Sequence, residues 1–430
     1  MEARKRIYYL WCSVWIFVST ISIQCSDDCT VTNNFAYYEP VYSTSAELKA
    51  AVEHQAPRTL KSPGKIYFKD GYLFINETGE GIHIIDNRNP SNPVPIGFLN
   101  IPGNYDLAIM GKTLYADSYV DLVSFDISNL SDIKEVHRVE KLFNHHHSLG
   151  FGIDPAKGIV TGWKKMDNVT VSECDQRFQP WGGFYLREGI AVSQFSSFDS
   201  KAALAPNQSA GIGGSMARFT IAQNHLYALD GSYMDVVALS NPQQPTAKNE
   251  IMLSWDIETL FPKGTNLFMG ARTGMYIYDL NNPAQPAFVS HFQHVRSCDP
   301  VVVEGDYAFV TLRSGNMCGN VESQLQVVNI KDLKNPFLVK SYPLVNPFGL
   351  GIDEGTLFIC DGTDGLKIYD AKNVQDISSK LLVHYKNLQA FDIIPYQKVA
   401  MMIATDGLYQ YDYSDIKKIR ELSKLTIAKP

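Results

Sequence analysis

The side chains best able to do chemistry are scattered along this chain. His145, His146 and His147 are consecutive, and imidazoles suit transition metals. Neighbours on an extended chain point to opposite faces, so no more than two of the three share a local site. A plain loop between structural units is the competing reading. His291 and His294 supply two more imidazoles three residues apart. Asp361-Gly362-Thr363-Asp364-Gly365 has the composition of a calcium loop. Calcium takes about six to eight oxygens, and this stretch lacks the roughly twelve-residue frame and closing glutamate of a full loop. A β-turn competes there. Arg218 and Arg296 can clamp an acidic ligand with a planar, bidentate guanidinium, or pair with an acid of a neighbouring unit. Trp181, Phe184 and Tyr185 stand with Phe178 in a stretch, 175–215, rich in Ser, Gly, Gln and Ala. A loop of that length is functional or disordered. Its aromatics suit ligand contact, and a lid packed for stability is the equal alternative. No Gly-x-Ser-x-Gly elbow, Walker loop or His-Glu-x-x-His is present. Distant Ser, His and Asp can still meet in a fold, so catalysis is not excluded by that.

The chain has 430 residues, 45% of them hydrophobic, with 19% charged and a formal net charge of -7. That is ample for a large core. An acidic balance without basic clusters argues against nucleic acid as a partner, and against electrostatic adhesion of the whole chain to an acidic membrane. Arg4-Lys5-Arg6 precedes a nearly apolar run from Ile7 to Ile23, which reads as a signal peptide over 1–24. A membrane-spanning helix is the alternative. Residues 25–63 read as a tether and a segment that helps close the fold, with a short helix over Glu47–Gln55 or a strand pairing with the last unit. An exported compartment permits disulfides. Cys298 and Cys318, 20 apart, flank one expected strand pair and are the best bridge. Zinc is disfavoured because no Cys-x-x-Cys pair is present.

What must position these residues is a repeat. Short apolar runs are cut by Gly, Asp and Asn turns, as in Gly349-Leu350-Gly351-Ile352-Asp353, Thr356-Leu357-Phe358-Ile359-Cys360 and Gly365-Leu366-Lys367-Ile368-Tyr369-Asp370. Such runs make antiparallel meanders. The third run of each unit ends at Asp86, Asp126, Ala238, Asp279, Asn329, Asp370 and Asp412, with spacings of 40, 112, 41, 50, 41 and 42. The wide gap holds one degenerate repeat and an insertion near 175–215. A period near 40 with four strands per unit is a propeller signature. The fold expected is all-β: one β-propeller over 64–425, of four-stranded blades. Eight blades are favoured, starting near 64, 104, 149, 216, 255, 299, 345 and 389. Seven are the alternative if the unit near 149 belongs to the insertion, and an open solenoid is the third option. Stacked blades bury both sheet faces, which explains unbroken apolar runs such as Met401-Met402-Ile403. Asp or Asn at the run ends can cap the following turn.

Gly365-Leu366-Lys367-Ile368-Tyr369-Asp370, Gly81-Ile82-His83-Ile84-Ile85-Asp86 and 327–336 resemble the LVIVD repeat family. Cys298-Asp299-Pro300 with Gly315-Asn316-Met317-Cys318-Gly319 resembles a segment of Bacteroidetes lipoproteins of that family. Cys25, followed by Ser26-Asp27-Asp28, resembles a lipidation site with an acidic export signal, though Gln24 departs from the usual small residue. The resemblance implies a β-propeller held to outer-membrane lipid through an acylated Cys25 and facing outward. It implies no general activity.

The function expected is a surface-anchored binding or interaction scaffold for an extracellular ligand or membrane-protein partner. The alternatives are an extracellular hydrolase or lyase working on one propeller face, and a structural part of an outer-membrane assembly. No cofactor is expected; calcium and a transition metal are confined to the two weak sites above.

Overall fold

The computed structural model describes residues 32–145, 153–154, 156–172, 184–186, 210–294, 300–315 and 322–427. These divide into two compact units, one of 32–41, 162–172 and 184–186 and one of the remaining described residues.

The larger unit holds seven antiparallel meanders, here blades A to G. Blade A runs Pro63–Lys69, Tyr72–Glu77, Gly81–Asp86 and Val94–Asn100. Blade B runs Leu107–Met110, Thr113–Ser118, Asp121–Asp126 and Lys134–Val139. Blade C follows from Phe219–Ala222 to Thr246–Met252, D from Ile257–Lys263 to Ala287–Gln293, and E from Val301–Glu304 to Phe337–Pro343. Blades F and G run from Leu350–Asp353 to Leu381–Tyr385 and from Ala390–Tyr396 to Arg420–Thr426. Strand order within each is sequential. The innermost strands touch in the cyclic order A, B, C, D, E, F, G and back to A. Each blade is one contiguous stretch, so no strand is exchanged to close the cycle.

An eighth sheet is ordered Ile153–Asp154, Gly158–Ser172, Thr32–Ser43 and Phe184–Leu186. In the smaller unit, Tyr37 of that sheet lies opposite Tyr185. Among the described residues there are eight sheets, an all-β architecture consistent with an eight-bladed propeller. The unit near 149 is the odd one: it takes strands from 32–43 and 184–186 instead of closing a meander of its own, and the inner-strand contacts pass through the other seven.

The turn chemistry repeats as the sequence implies. Asp86, Asp126, Asp279, Asn329, Asp370 and Asp412 each accept, through Oδ1, the N–H two residues on, at 2.7–3.1 Å. This side-chain turn ends the third strand without any catalytic demand. The residue after each matched position is buried: Asn87, Ile127, Leu239, Leu280, Ile330, Ala371 and Tyr413. Its N–H donates to the carbonyl of its own first hairpin, for example Leu239 to Asn224 and Tyr413 to Lys398. The first hairpin and the third turn therefore share one end of every blade. Met401, Met402 and Ile403 are all buried, as sheets covered on both faces require.

Two expectations are corrected. The helix spans Ser45–Ala50, opened by a Thr44–Glu47 capping box, and does not reach Gln55. Glu53–Gln55 is a strand instead, and it pairs with the outer strand of blade A, not with the last blade. The disulfide is also corrected: among the described residues no disulfide is formed, and the Cys360 side chain is buried. Cys298 and Cys318 lie outside the described residues, as does Cys25.

Candidate functional site

Aligned on their first hairpins, the seven blades place one residue each at the start of the inner strand, within its first three residues or just before it: Lys65, Asp106, Arg218, Thr259, Pro300, Gly349 and Asp392. Each precedes a buried apolar residue paired with the fourth residue of the second strand, as Leu107 pairs with Ala116 and Ile393 with Met402. Around the cycle the charges alternate over four consecutive blades: Asp392 of G, Lys65 of A, Asp106 of B and Arg218 of C. Blades D, E and F supply neutral residues there. Lys65, Asp106 and Asp392 are all buried.

A segment of the chain itself, 210–217, lies across the inner strands beside this arc. Its residues 212–217 are buried. Ile212 and Gly213 pair with Phe68 and Tyr67 of blade A. The Gly211 N–H donates to the Ile109 carbonyl of blade B, and the Gly214 N–H to the Ile66 carbonyl of blade A. Lys65 Nζ donates to the Met216 carbonyl at 3.0 Å. Asp106 Oδ2 accepts the N–H groups of Arg218 and Phe219. Ser215 Oγ accepts the Leu350 N–H of blade F at 2.7 Å, and the Ala217 carbonyl accepts the Leu260 N–H of blade D. At Gly214 the backbone passes so close to blade G that a Cβ would sit 1.8 Å from Asp392 Oδ2. One strap thus contacts the inner strands of A, B, D, F and G. Burial holds the Asp106 carboxyl above the usual carboxylate range, opposed by the charges of Lys65 and Arg218.

Arg218 stands at the inner-strand end, where the sequence puts it. Its guanidinium donates to the Leu229 carbonyl at 3.1 Å. Its own N–H goes to the acid of the neighbouring blade. Arg296 lies outside the described residues, and so does Trp181. Phe184 and Tyr185 lie on the short strand opposite 36–38. Lys65, Asp106 and Asp392 were not singled out by the sequence reading. Their common signal is position, one residue ahead of the buried residue that pairs with the fourth residue of the second strand, which only an aligned set of repeats displays.

His145 is tied to blade C. Its N–H donates to Asp230 Oδ2 at 2.6 Å, its Nε2 lies 3.0 Å from Glu250 Oε1, and its ring stacks on Tyr233 with centroids 3.9 Å apart. Asp235 lies directly opposite Glu250 in the sheet. Burial first, then the charges of Asp230 and Glu250, push the Asp235 carboxyl up to about 8. His146 and His147 lie outside the described residues. In the calcium-like loop, Asp361 accepts the N–H groups of Val345 and Asn346. Lys367 Nζ lies 2.6 Å from both Asp361 and Asp364. These carboxylates fix a loop and an ammonium. His291 stacks on Tyr276 at 4.0 Å, and burial lowers its basicity. Among the described residues no group of three or more His, Cys, Asp or Glu is arranged to hold a metal ion.

The LVIVD repeat matches residues 64–100 and 104–141, which are blades A and B. Among solved structures, the computationally designed Ika8 protein is 10% identical, with 86% of this chain and 90% of that chain covered and a TM-score of 0.48. A protein from Lactobacillus plantarum is 10% identical over 82% and 96%, with a TM-score of 0.47. Saccharomyces cerevisiae Sqt1 is 8% identical over 90% and 89%, with a TM-score of 0.49. No curated protein matches the chain.

Proposed function

We propose that this protein is a binding scaffold that recognises its ligand on its outer surfaces rather than along its axis. One observation carries the reading. Two members of the charged arc already hold the chain itself: Lys65 binds the Met216 carbonyl of the strap, and Asp106 binds the Arg218 and Phe219 N–H groups that follow it. The aromatic stretch before the strap is then the contact surface, with Trp181, Phe184 and Tyr185 as its anchors, since rigid aromatic side chains supply most contact energy at recognition sites.

The test is a deletion of 178–206 that keeps residues 210–217. Parent and deletion are compared by biolayer interferometry against envelope fractions and cell-surface polysaccharides. The expected result is one ligand class bound by the parent, no binding by the deletion, and melting temperatures within a few degrees of each other. Equal binding by both would sink the assignment to this stretch. Release of product from those polysaccharides would favour the enzyme reading.

We further propose that the scaffold is exported and held on the outer membrane by an acylated Cys25. The basic start, the apolar run and Cys25 with Ser26-Asp27-Asp28 support this. Mass spectrometry of the mature N-terminus tests it: a diacylglyceryl group on Cys25 is expected, and an unmodified Cys25 overturns it.

A further inference from the structure

We propose that the cleft between the hairpin ends of blades G and A binds one pyranose ring of a neutral saccharide. The cleft holds about 460 Å3, a usual size for a small-ligand site. Phe68 of blade A and Tyr396 of blade G line it, both half-buried. Their ring centroids lie 5.2 Å apart, with the planes tilted by 47°. Each is the one aromatic at its aligned position. Where A has Phe68, the other blades have Ile109, Ile221, Pro262, Val303, Ile352 and Pro395. Where G has Tyr396, they have Lys69, Met110, Ala222, Lys263, Glu304 and Asp353. The six other seams pack without such a pair, so the fold itself does not require it.

Asp70, Arg88 and Gln397 supply the exposed polar lining. Arg88 is fixed before any ligand arrives. Its Nε donates to Asp86 Oδ1 at 2.9 Å, and its Nη2 donates to Asp86 Oδ2. The guanidinium lies over the Tyr72 ring, 5.4 Å from the centroid. The stem fills the space beside Gly71, where a Cβ would sit 2.8 Å from Arg88 Cγ. Nη1 is left to meet a ligand. Among the described residues, the Gln397 amide and the Tyr396 hydroxyl have no hydrogen-bond partner either.

The remaining chemistry selects the occupant. The charges lining the cleft and their partners cancel: Lys69 and Lys112 face Asp70, Arg88 faces Asp86, and Lys398 faces Asp353 and Glu354. No uncompensated charge is left to draw an anion or a cation. The main chain is spent as well. The Asn87 N–H goes to the Gly71 carbonyl, the Arg88 N–H to Asp86, and the Pro90 carbonyl accepts from Gln410 and Ser423. An extended peptide therefore finds no ladder there. A wholly apolar ligand would cover the guanidinium and the amide without bonding them, which is costly. A neutral pyranose meets all of these conditions. Its C–H face lies on aromatic rings, and its neighbouring hydroxyls bond planar groups such as guanidinium, amide and carboxylate.

The test uses the full chain and the methyl glycosides of glucose, galactose and mannose, titrated across the millimolar range by saturation-transfer NMR. At least one should bind the parent at about 1 mM, the strength of a single-ring site. Transfer should concentrate on its ring C–H protons. Phe68→Leu with Tyr396→Leu keeps apolar packing beneath the rings and should weaken binding about ten-fold. Arg88→Ala with Gln397→Ala, at exposed positions, should weaken it about as much. The corresponding cleft between B and C, of about 500 Å3, has no aromatic lining. Ser240→Ala with Gln243→Ala in that cleft should bind as the parent does. Unchanged melting curves establish folding of each variant. The deletion of 178–206 should also bind the glycoside. Binding this weak stays beneath the interferometry comparison above, so the two sites stand or fail separately. Loss in the deletion would move the sugar to that stretch and overturn the proposal. So would no binding by the parent, equal loss in the B–C variant, or tighter binding of glucuronate or glucosamine than of the neutral glycosides.

Discussion

Gly214 and Ser215 show how much a single position in the strap decides. With no side chain, Gly214 lets the backbone pass beside Asp392; a methyl group there meets the carboxylate. Gly214→Ala should lower stability by about 1–3 kcal/mol, the usual cost of overpacking. Ser215→Ala leaves the buried Leu350 N–H without its acceptor, at a cost of about 1–3 kcal/mol. Denaturation midpoints measure both, and parental midpoints would show that the strap is not integral to the ring. Asp235 answers to pH. Its folded carboxyl is raised from the ordinary 3.8 to about 8, so the fold favours the protonated form. Its contribution to stability is whole below about pH 4, falls as pH rises, and is lost above about pH 8. Asp235→Asn stays neutral throughout. The stability difference between variant and parent should therefore grow across that window, reaching the order of a few kcal/mol. Parallel pH profiles would remove Asp235 as the cause.

Between elements, the blades are latched by a recurring bond from one blade to a carbonyl in the third turn of the next. Tyr115 donates to Pro242, Tyr227 to Pro283, Ser290 to Leu333, Tyr342 to Val374 and Tyr385 to Ile419. At the seam between G and A the same place is filled by Gln410 and Ser423, which donate to the Pro90 carbonyl. Gln410 also exchanges two bonds with Asn87, at 2.9 and 2.6 Å. Asn87 is the polar member of a buried set that is otherwise apolar. Gln410→Leu should thus cost about 1–3 kcal/mol by stranding Asn87. Adding Asn87→Ile, the residue type blade B uses there, should recover part of it in a double-mutant cycle. Additive losses would mean that the two amides do not act as a pair. The blades, the turn caps and the unbroken core runs were legible because each is written in local sequence at a near-constant period. The strap was not. Residues 210–217 lie at the end of a Ser- and Gly-rich stretch that reads as loop, and their partners belong to five separate blades. The charged arc was hidden for a related reason, since Lys65, Asp106, Arg218 and Asp392 share a position and not a residue type. The helix was read too long because Glu53–Gln55 keeps helix-compatible residues while an open sheet edge draws it into a strand.

At the scale of the whole ring, stability should be cooperative, because the strap ties non-neighbouring blades together. The amide protons of Gly211, Gly214, Leu260 and Leu350 take part in that tie. In native-state hydrogen exchange they should be released only with global unfolding, like the core strands. Faster release of this group than of the blade cores would identify the strap as a separately opening piece.

Contiguous blades also fix an order of events during synthesis. Blades A and B are complete before the strap exists, and the strap is made before blades F and G, which it also touches. A growing chain can therefore lay 210–214 onto the first two blades and carry it as a template that the last blades meet as they appear. Joining G to A is then the docking of two finished surfaces, the final act of folding, and a chain halted short of residue 423 would be left with both faces of that seam bare.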